Sequence, residues 1–230
     1  MEIFIITFGF SILTGIKQKR YHLESMIVLS LDPGTSTGYC LASIEGTKLE
    51  IYEWGIIDVD TASDYQGDHC IDLMTKIDGM ISEHAVDHVT VEDYFFSKRF
   101  ANGSNINAAF RTAIHIVSRY RDVPYTILNI SSWKNYVSGR RTPTKEQKKL
   151  YGAEAAKKLY IQQALWDRYR IRFPNHSISN TTGKPITFRY DVVDAVAQLI
   201  YYAEMFQHTR EIKVSIAIPE DVIFKRPPKK

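Results

Sequence analysis

The feature that most restricts the fold is a series of three apolar runs between Met26 and Val59. They read "MIVLSLD", "TGYCLASI" and "KLEIYEWGIIDV", the last two joined at Glu45-Gly46-Thr47. Each is short and rich in residues that favour strands. Connections of three or four residues can turn a chain back on itself but cannot carry a parallel crossover. An antiparallel meander is therefore expected. "DHVTVED" and "VPYTILNI" supply two further strands. Helical spacing fills the gaps between them. Ile71, Met74, Ile77 and Ile81 mark one amphipathic helix. Ile106, Ala109, Phe110, Ala113, Ile114 and Val117 mark one face of a second, with Asn107, Arg111, His115 and Ser118 opposite. The expected architecture is α/β: a mixed five-stranded sheet with helices on both faces.

Beyond the fifth strand, "SSWKNYVSG" reads as a short helix with a serine N-cap and Gly139 as its stop. Thr144 and Gln147 have capping-box spacing and open a helix that runs on to Tyr169. "FPNHSISNTTGKP" is polar and turn-rich, and "DVVDAVAQLIYYAEMF" is the last clear helix. These elements give one domain over residues 26–208, preceded by an N-terminal extension over 1–25 and followed by a basic tail over 209–230. Met26 stands as an alternative start. The run "IFIITFGFSIL" follows an acid and is too short to span a bilayer, so neither a secretory signal nor a membrane anchor is expected. Cys40 and Cys70 make no disulfide framework, which suits a reducing compartment, and the seven histidines lack zinc-ligand spacing.

Four carboxylates stand out by position. Asp32 ends the first strand and Glu92 the fourth. Asp191 and Asp194 lie three apart at the start of the last helix, on one face, with Val193, Val196, Ala197 and Ile200 on the core side. Acids gathered at one sheet edge repel one another unless a cation neutralises them. Hard oxygen ligands select Mg²⁺ or Mn²⁺, and a pair of such ions roughly 4 Å apart can drive phosphodiester hydrolysis. Gly34 and Gly38 would let the chain bend tightly beside Asp32, and small Thr35, Ser36 and Thr37 would leave room for a phosphate backbone. Charge distribution agrees. From Lys134 to Arg172 eleven basic residues stand against three acids, and from Asp93 to Arg121 five against one; a single run would read as a solvated helix face, but two runs flanking the candidate acids suit a nucleic-acid surface.

Four segments carry a resemblance. They are "LSLDPGTSTGYCLASI", "VTVEDYFFSKRFANGSNINAAFRTAIHI", "SSWKNYVSGRRTPTKEQ" and "YDVVDAVAQLIYYAE", in that order. Together they resemble the RuvC-type Holliday junction resolvases of the ribonuclease H-like superfamily. The resemblance implies a homodimer that nicks four-way DNA junctions symmetrically by Mg²⁺-dependent hydrolysis (Mn²⁺ serving as well), with two ions per site and no nucleotide cofactor. It implies Asp32, Glu92, Asp191 and Asp194 as metal ligands and Lys134 and Lys145 as supporting cations. It gives Phe95, or else Phe96, a base-stacking role. Lys98 matches a basic residue of the family, and the charges of Arg99, Arg140 and Arg141 suit phosphate contacts. A cytoplasmic or nucleoid-associated protein follows, with viral and organellar origins open. The segment from about Leu159 to Pro185 is longer than in the bacterial family and adds Trp166, Arg168, Arg170 and Arg172. That length keeps a broader branched-DNA or flap endonuclease open as an alternative. A sugar-kinase or actin-like phosphotransferase fits less well, because "LDPGTSTG" has no second phosphate loop to match it.

Overall fold

Strands β1 (Met26–Asp32), β2 (Ser36–Glu45) and β3 (Lys48–Asp58) form the expected antiparallel meander in a computed structural model of the chain. The structure describes residues 25–93, 101–139, 142–151, 153–174, 176–178, 185–187 and 191–216. Helix α1 (Gln66–Glu83) carries the chain to β4 (His88–Glu92), which lies parallel to β1. Helix α2 (Ala101–Tyr120) then leads to β5 (Tyr125–Leu128), parallel to β4. Three helices follow: α3 (Ile130–Ser138), α4 (Lys145–Tyr151) and α5 (Ala153–Tyr169). A two-stranded hairpin, β6 (His176–Ile178) and β7 (Pro185–Thr187), precedes α6 (Asp191–Phe206).

The sheet is mixed, as expected, but among the described residues it has six strands, in the order β5-β4-β1-β2-β3-β8. The sixth, β8 (Glu211–Val214), lies parallel to β3 and belongs to the segment read as a tail. Its alternation of exposed and half-buried residues is the pattern of an edge strand. Four residues with two charges among them are too few to show a strand period in the sequence. The domain thus extends past residue 208.

Helices cover both faces. β1 shows how the two cores are divided, because successive side chains point to opposite sides of a strand. Val28 joins a core with α3, α5 and α6 that holds Trp133, Leu165 and Ile200. Leu29 and Leu31 join a core with α1 and α2 that holds Leu73, Ile77, Phe110 and Ile114. Alternation continues to Asp32, which therefore faces α6. Helix α6 is buried along nearly its whole length, from Val192 to Ala203, so it is a central helix rather than a one-sided one.

Several local expectations need correction. Leu73, with Ile77 and Ile81, faces the core from α1, while Ile71 is 62% exposed. Ser118 is buried and donates to the Ile114 carbonyl, so it needs no solvent. Helix α3 is capped by Asn129, whose side chain accepts from the Ser132 amide at 3.1 Å, not by a serine. Gly139 does end that helix, at φ +63°. The Thr144–Gln147 capping box forms with both reciprocal bonds, at 2.8 and 3.2 Å. The long helix it opens comes in two pieces, α4 and α5. After α5, Ile171 and Phe173 are fully buried, and Phe173 stacks on Trp54 at 5.0 Å. The long segment is anchored in the core at that point.

Candidate active site

The parallel pairing of β1 with β4 sets Leu31 opposite Val91, so the next residues, Asp32 and Glu92, leave adjacent strands side by side. Both face α6. Register also sets Asp32 opposite Gly38 on β2. A Cβ on Gly38 would lie 2.1 Å from the Asp191 carbonyl oxygen and 2.9 Å from the Val192 amide nitrogen. Gly38 is therefore a mid-strand residue whose missing side chain lets the first turn of α6 rest on the sheet. It does not bend the loop. Gly34 has ordinary room for a side chain. Thr37 is fully buried, its hydroxyl donating to the Gly34 carbonyl at 2.7 Å and accepting the Gly34 N–H at 3.2 Å. It closes the turn rather than clearing space for a ligand.

Asp191 and Asp194 occupy the first turn of α6, where the helix dipole favours negative charge. Lys134 of α3 reaches Asp194 at 3.9 Å and lies 4.7 Å from the ring centre of Trp133. Lys158 of α5 reaches Asp191 at 3.0 Å. Sequence reasoning placed Lys145 here instead. That residue is exposed at the start of α4, and none of the four acids bonds it. Lys158 was missed because nothing in "GAEAAKKLYIQQ" separates one lysine from its neighbour. An open cleft of about 270 Å³ reaches Asp194, with Lys134, Lys148, Lys157 and Lys158 also in its walls.

Gln198, one turn beyond Asp194, was missed as well. It is fully buried, and its Nε2 donates to Glu92 Oε2 at 3.3 Å. The signal was a lone amide within an otherwise apolar helical stretch. The Trp133 indole N–H sits near enough to Glu92 to favour its charged form but is not aligned into a full hydrogen bond.

Charge is uncompensated. The Asp32 carboxyl is held well above the usual aspartate range by burial first, then by Glu92, Asp194 and Asp191, with Lys134 opposing. As a residue Asp32 keeps some exposure. Burial pushes Glu92 up to about 7, against the pull of Lys134. Asp194 is raised too, again by burial, with Lys134 and Lys158 opposing. Two lysines do not neutralise four acids. Among the described residues no three acids already converge as a finished cage for an ion. The donor set still fits a hard divalent cation in chemistry and in charge: all ligand atoms are oxygen, and the surplus is negative. Beneath it lie Ser30 Oγ, Thr90 Oγ1 and Gln198 Oε1, all buried without a protein partner. Phe95, Phe96, Lys98, Arg99, Arg140 and Arg141 lie outside the described residues.

Residues 28–157 match the family model described as crossover junction endodeoxyribonuclease RuvC. The chain belongs to the RuvC family. A protein of that description from Sulfurovum sp. is 30% identical over 128 residues, covering 53% of this chain and 76% of the relative. Another RuvC, from Helicobacter pylori, is 26% identical over 183 residues, covering 78% and 97%. Two solved structures share the fold. Thermus thermophilus RuvC in complex with Holliday junction substrate has a TM-score of 0.55 at 12% identity, over 79% of this chain and 98% of that one. The yeast mitochondrial Holliday junction resolvase Ydc2 has 0.54 at 15%, over 80% and 79%. The mixed sheet is thus the ribonuclease H-like sheet of RuvC nucleases, and the chain is an endonuclease of the crossover junction type. The RuvC match includes Asp32, Glu92, Lys134 and Lys145. It stops short of Lys158, Asp191 and Asp194.

Proposed function

We propose that this RuvC-family endonuclease is a Holliday junction resolvase that cuts by divalent-metal-assisted hydrolysis. The observation that carries the reading is that Glu92, Asp191 and Asp194 all lie within electrostatic reach of Asp32, from two strands and a helix, with Lys134 and Lys158 paired to the two helical acids. Asp32, Glu92, Asp191 and Asp194 would hold Mg²⁺ or Mn²⁺, two ions per site. Bound there, the metal supplies an activated water and charge stabilisation at the leaving oxygen. The protein supplies position. Gln198 fixes one oxygen of Glu92, and Trp133 biases that carboxyl toward its charged form. Gly38 sets the height of Asp191 above the sheet. Lys134 brings positive charge to the edge of the cleft, where it can steady the anionic phosphorane-like transition state.

The substrate is a four-way DNA junction, cut by a homodimer with one site per strand. This reading rests on the family and on the basic walls of the cleft. A two-lobed kinase architecture finds no support: the described strands form one main sheet and a small hairpin. The test is cleavage of a labelled four-way junction, a flap and a linear duplex in Mg²⁺, with Asp194→Asn run in parallel. Paired nicks in the junction alone, lost in the variant, support the proposal. Equal cutting of flap and junction would redirect it to general branched-DNA processing. ATP hydrolysis without any cutting would overturn it.

A further inference from the structure

Lys158 lies one residue past the RuvC match and comes from α5, a different helix from the one that carries Lys134. Its Nζ sits 3.0 Å from Asp191 Oδ1 while its stem lines the basic cleft. It is 39% exposed, so the ammonium can turn outward without breaking the core. Ile161 and Leu165, three and seven residues further along α5, are buried and fix the rotation of the helix. The position of Lys158 is therefore set by the fold rather than by a flexible loop. Lys145, which the sequence resemblance implied as the second supporting cation, is exposed and bonds none of the acids.

We propose that Lys158 is the second functional cation of this site: it is the counter-ion of Asp191 in the metal-free protein and moves to a phosphate of the bound strand when a divalent ion takes that carboxylate. The strand half of this statement rests on the nuclease reading above. The geometry gives both positions. An ammonium bonded to a ligand oxygen competes with a metal for the same lone pairs. Rotated toward the cleft, the same group joins Lys134, Lys148 and Lys157, which line the path of an anionic backbone. Without DNA the lysine limits metal occupancy. With DNA it adds positive charge where the transition state gains negative charge.

The experiment compares Lys158→Met, Lys158→Arg and Lys145→Met with the parent protein, all checked for thermal unfolding. Mn²⁺ affinity is measured without DNA by titration calorimetry, and single-turnover junction cleavage is measured at saturating Mg²⁺. Lys158→Met should bind Mn²⁺ at least about fivefold tighter, because a unit cation a few ångströms from the metal repels it even when well screened. The same variant should cut about tenfold more slowly or worse, since it lacks a charge aimed at the phosphate. Lys158→Arg should restore the parent's Mn²⁺ affinity and much of the rate. Lys145→Met should leave Mn²⁺ affinity alone. A lysine with a merely structural role would give unchanged or weaker Mn²⁺ binding in Lys158→Met, and that result overturns the counter-ion role. Cleavage within twofold of the parent overturns the strand role. A parent protein that cuts no junction overturns the resolvase reading and the strand role with it, while the Mn²⁺ titration still decides the counter-ion role.

Discussion

Replacing Gly38 with alanine tests how the site is assembled. The added Cβ would stand 2.1 Å from the Asp191 carbonyl oxygen and 2.3 Å from its carbon, both backbone atoms that cannot rotate away. Ordinary contact needs about 3.4 Å or more. The first turn of α6 must therefore lift by more than an ångström, or β2 must sink by as much. Overpacking of this kind costs about 1–3 kcal/mol. For a chain of this length that is roughly 2–12 °C in Tm. The larger effect falls on chemistry, because Asp191 moves relative to Asp32, which pairs directly with Gly38. A displacement of about 1 Å can cost a hundredfold in rate. Single-turnover junction cleavage and thermal unfolding would be measured together, with Gly79→Ala as a control. Gly79 is an exposed helix position with open space around it, so alanine there should stabilise by roughly 0.5–1 kcal/mol. If Gly38→Ala cut within threefold of the parent and unfolded at the same temperature, the close approach of α6 would not be what builds the site.

Other outcomes follow from the same geometry. Glu92 is raised by burial from 4.5 to about 7, and Asp32 and Asp194 are raised as well, so the folded state holds these protons more tightly than the unfolded chain does. Without metal, the associated stability is full below the unfolded value and fades as pH rises through the folded one. Melts in EDTA should therefore show Tm falling between pH 5 and pH 8. Mn²⁺ should flatten that slope and Glu92→Gln should reduce it; a Tm that rises with pH would contradict the assignment. Gln198→Leu keeps the volume but removes the bond to Glu92 and a buried oxygen without a partner. It should slow cleavage about tenfold while leaving Tm equal or higher, because an unsatisfied buried polar atom costs about 1–3 kcal/mol. A lower Tm with unchanged rate would show that Gln198 serves the fold alone. Asn129→Ala should lower stability by about 1 kcal/mol through loss of the α3 cap, and Ser131→Ala should not. The reverse ranking would restore the serine cap.

What the sequence by itself determined is what depends on short-range periodicity and local hydrogen bonds. The β1–β3 meander follows from alternation and short connections. The capping box at Thr144 and Gln147 and the stop at Gly139 follow from residues three to nine apart. Asp32 and Glu92 were legible as acids closing apolar strands, and Asp191 with Asp194 as a helical pair. The tertiary structure decided which other residues join them. Lys145 and Lys158 look alike along the chain, and only the docking of α5 against α6 brings Lys158 to Asp191. Gly38 read as a turn glycine because the sequence cannot show that a helix more than 150 residues later will rest on it. Gln198 reads as one polar residue in an apolar stretch until Glu92 is found 3.3 Å away, across 106 residues of chain. β8 has too little pattern of its own and forms because β3 offers it an open edge. The physical reason is common to all four. Propensity and capping are decided within a few residues, whereas charge compensation, close approach and edge pairing depend on atoms that meet only after the chain has closed on itself.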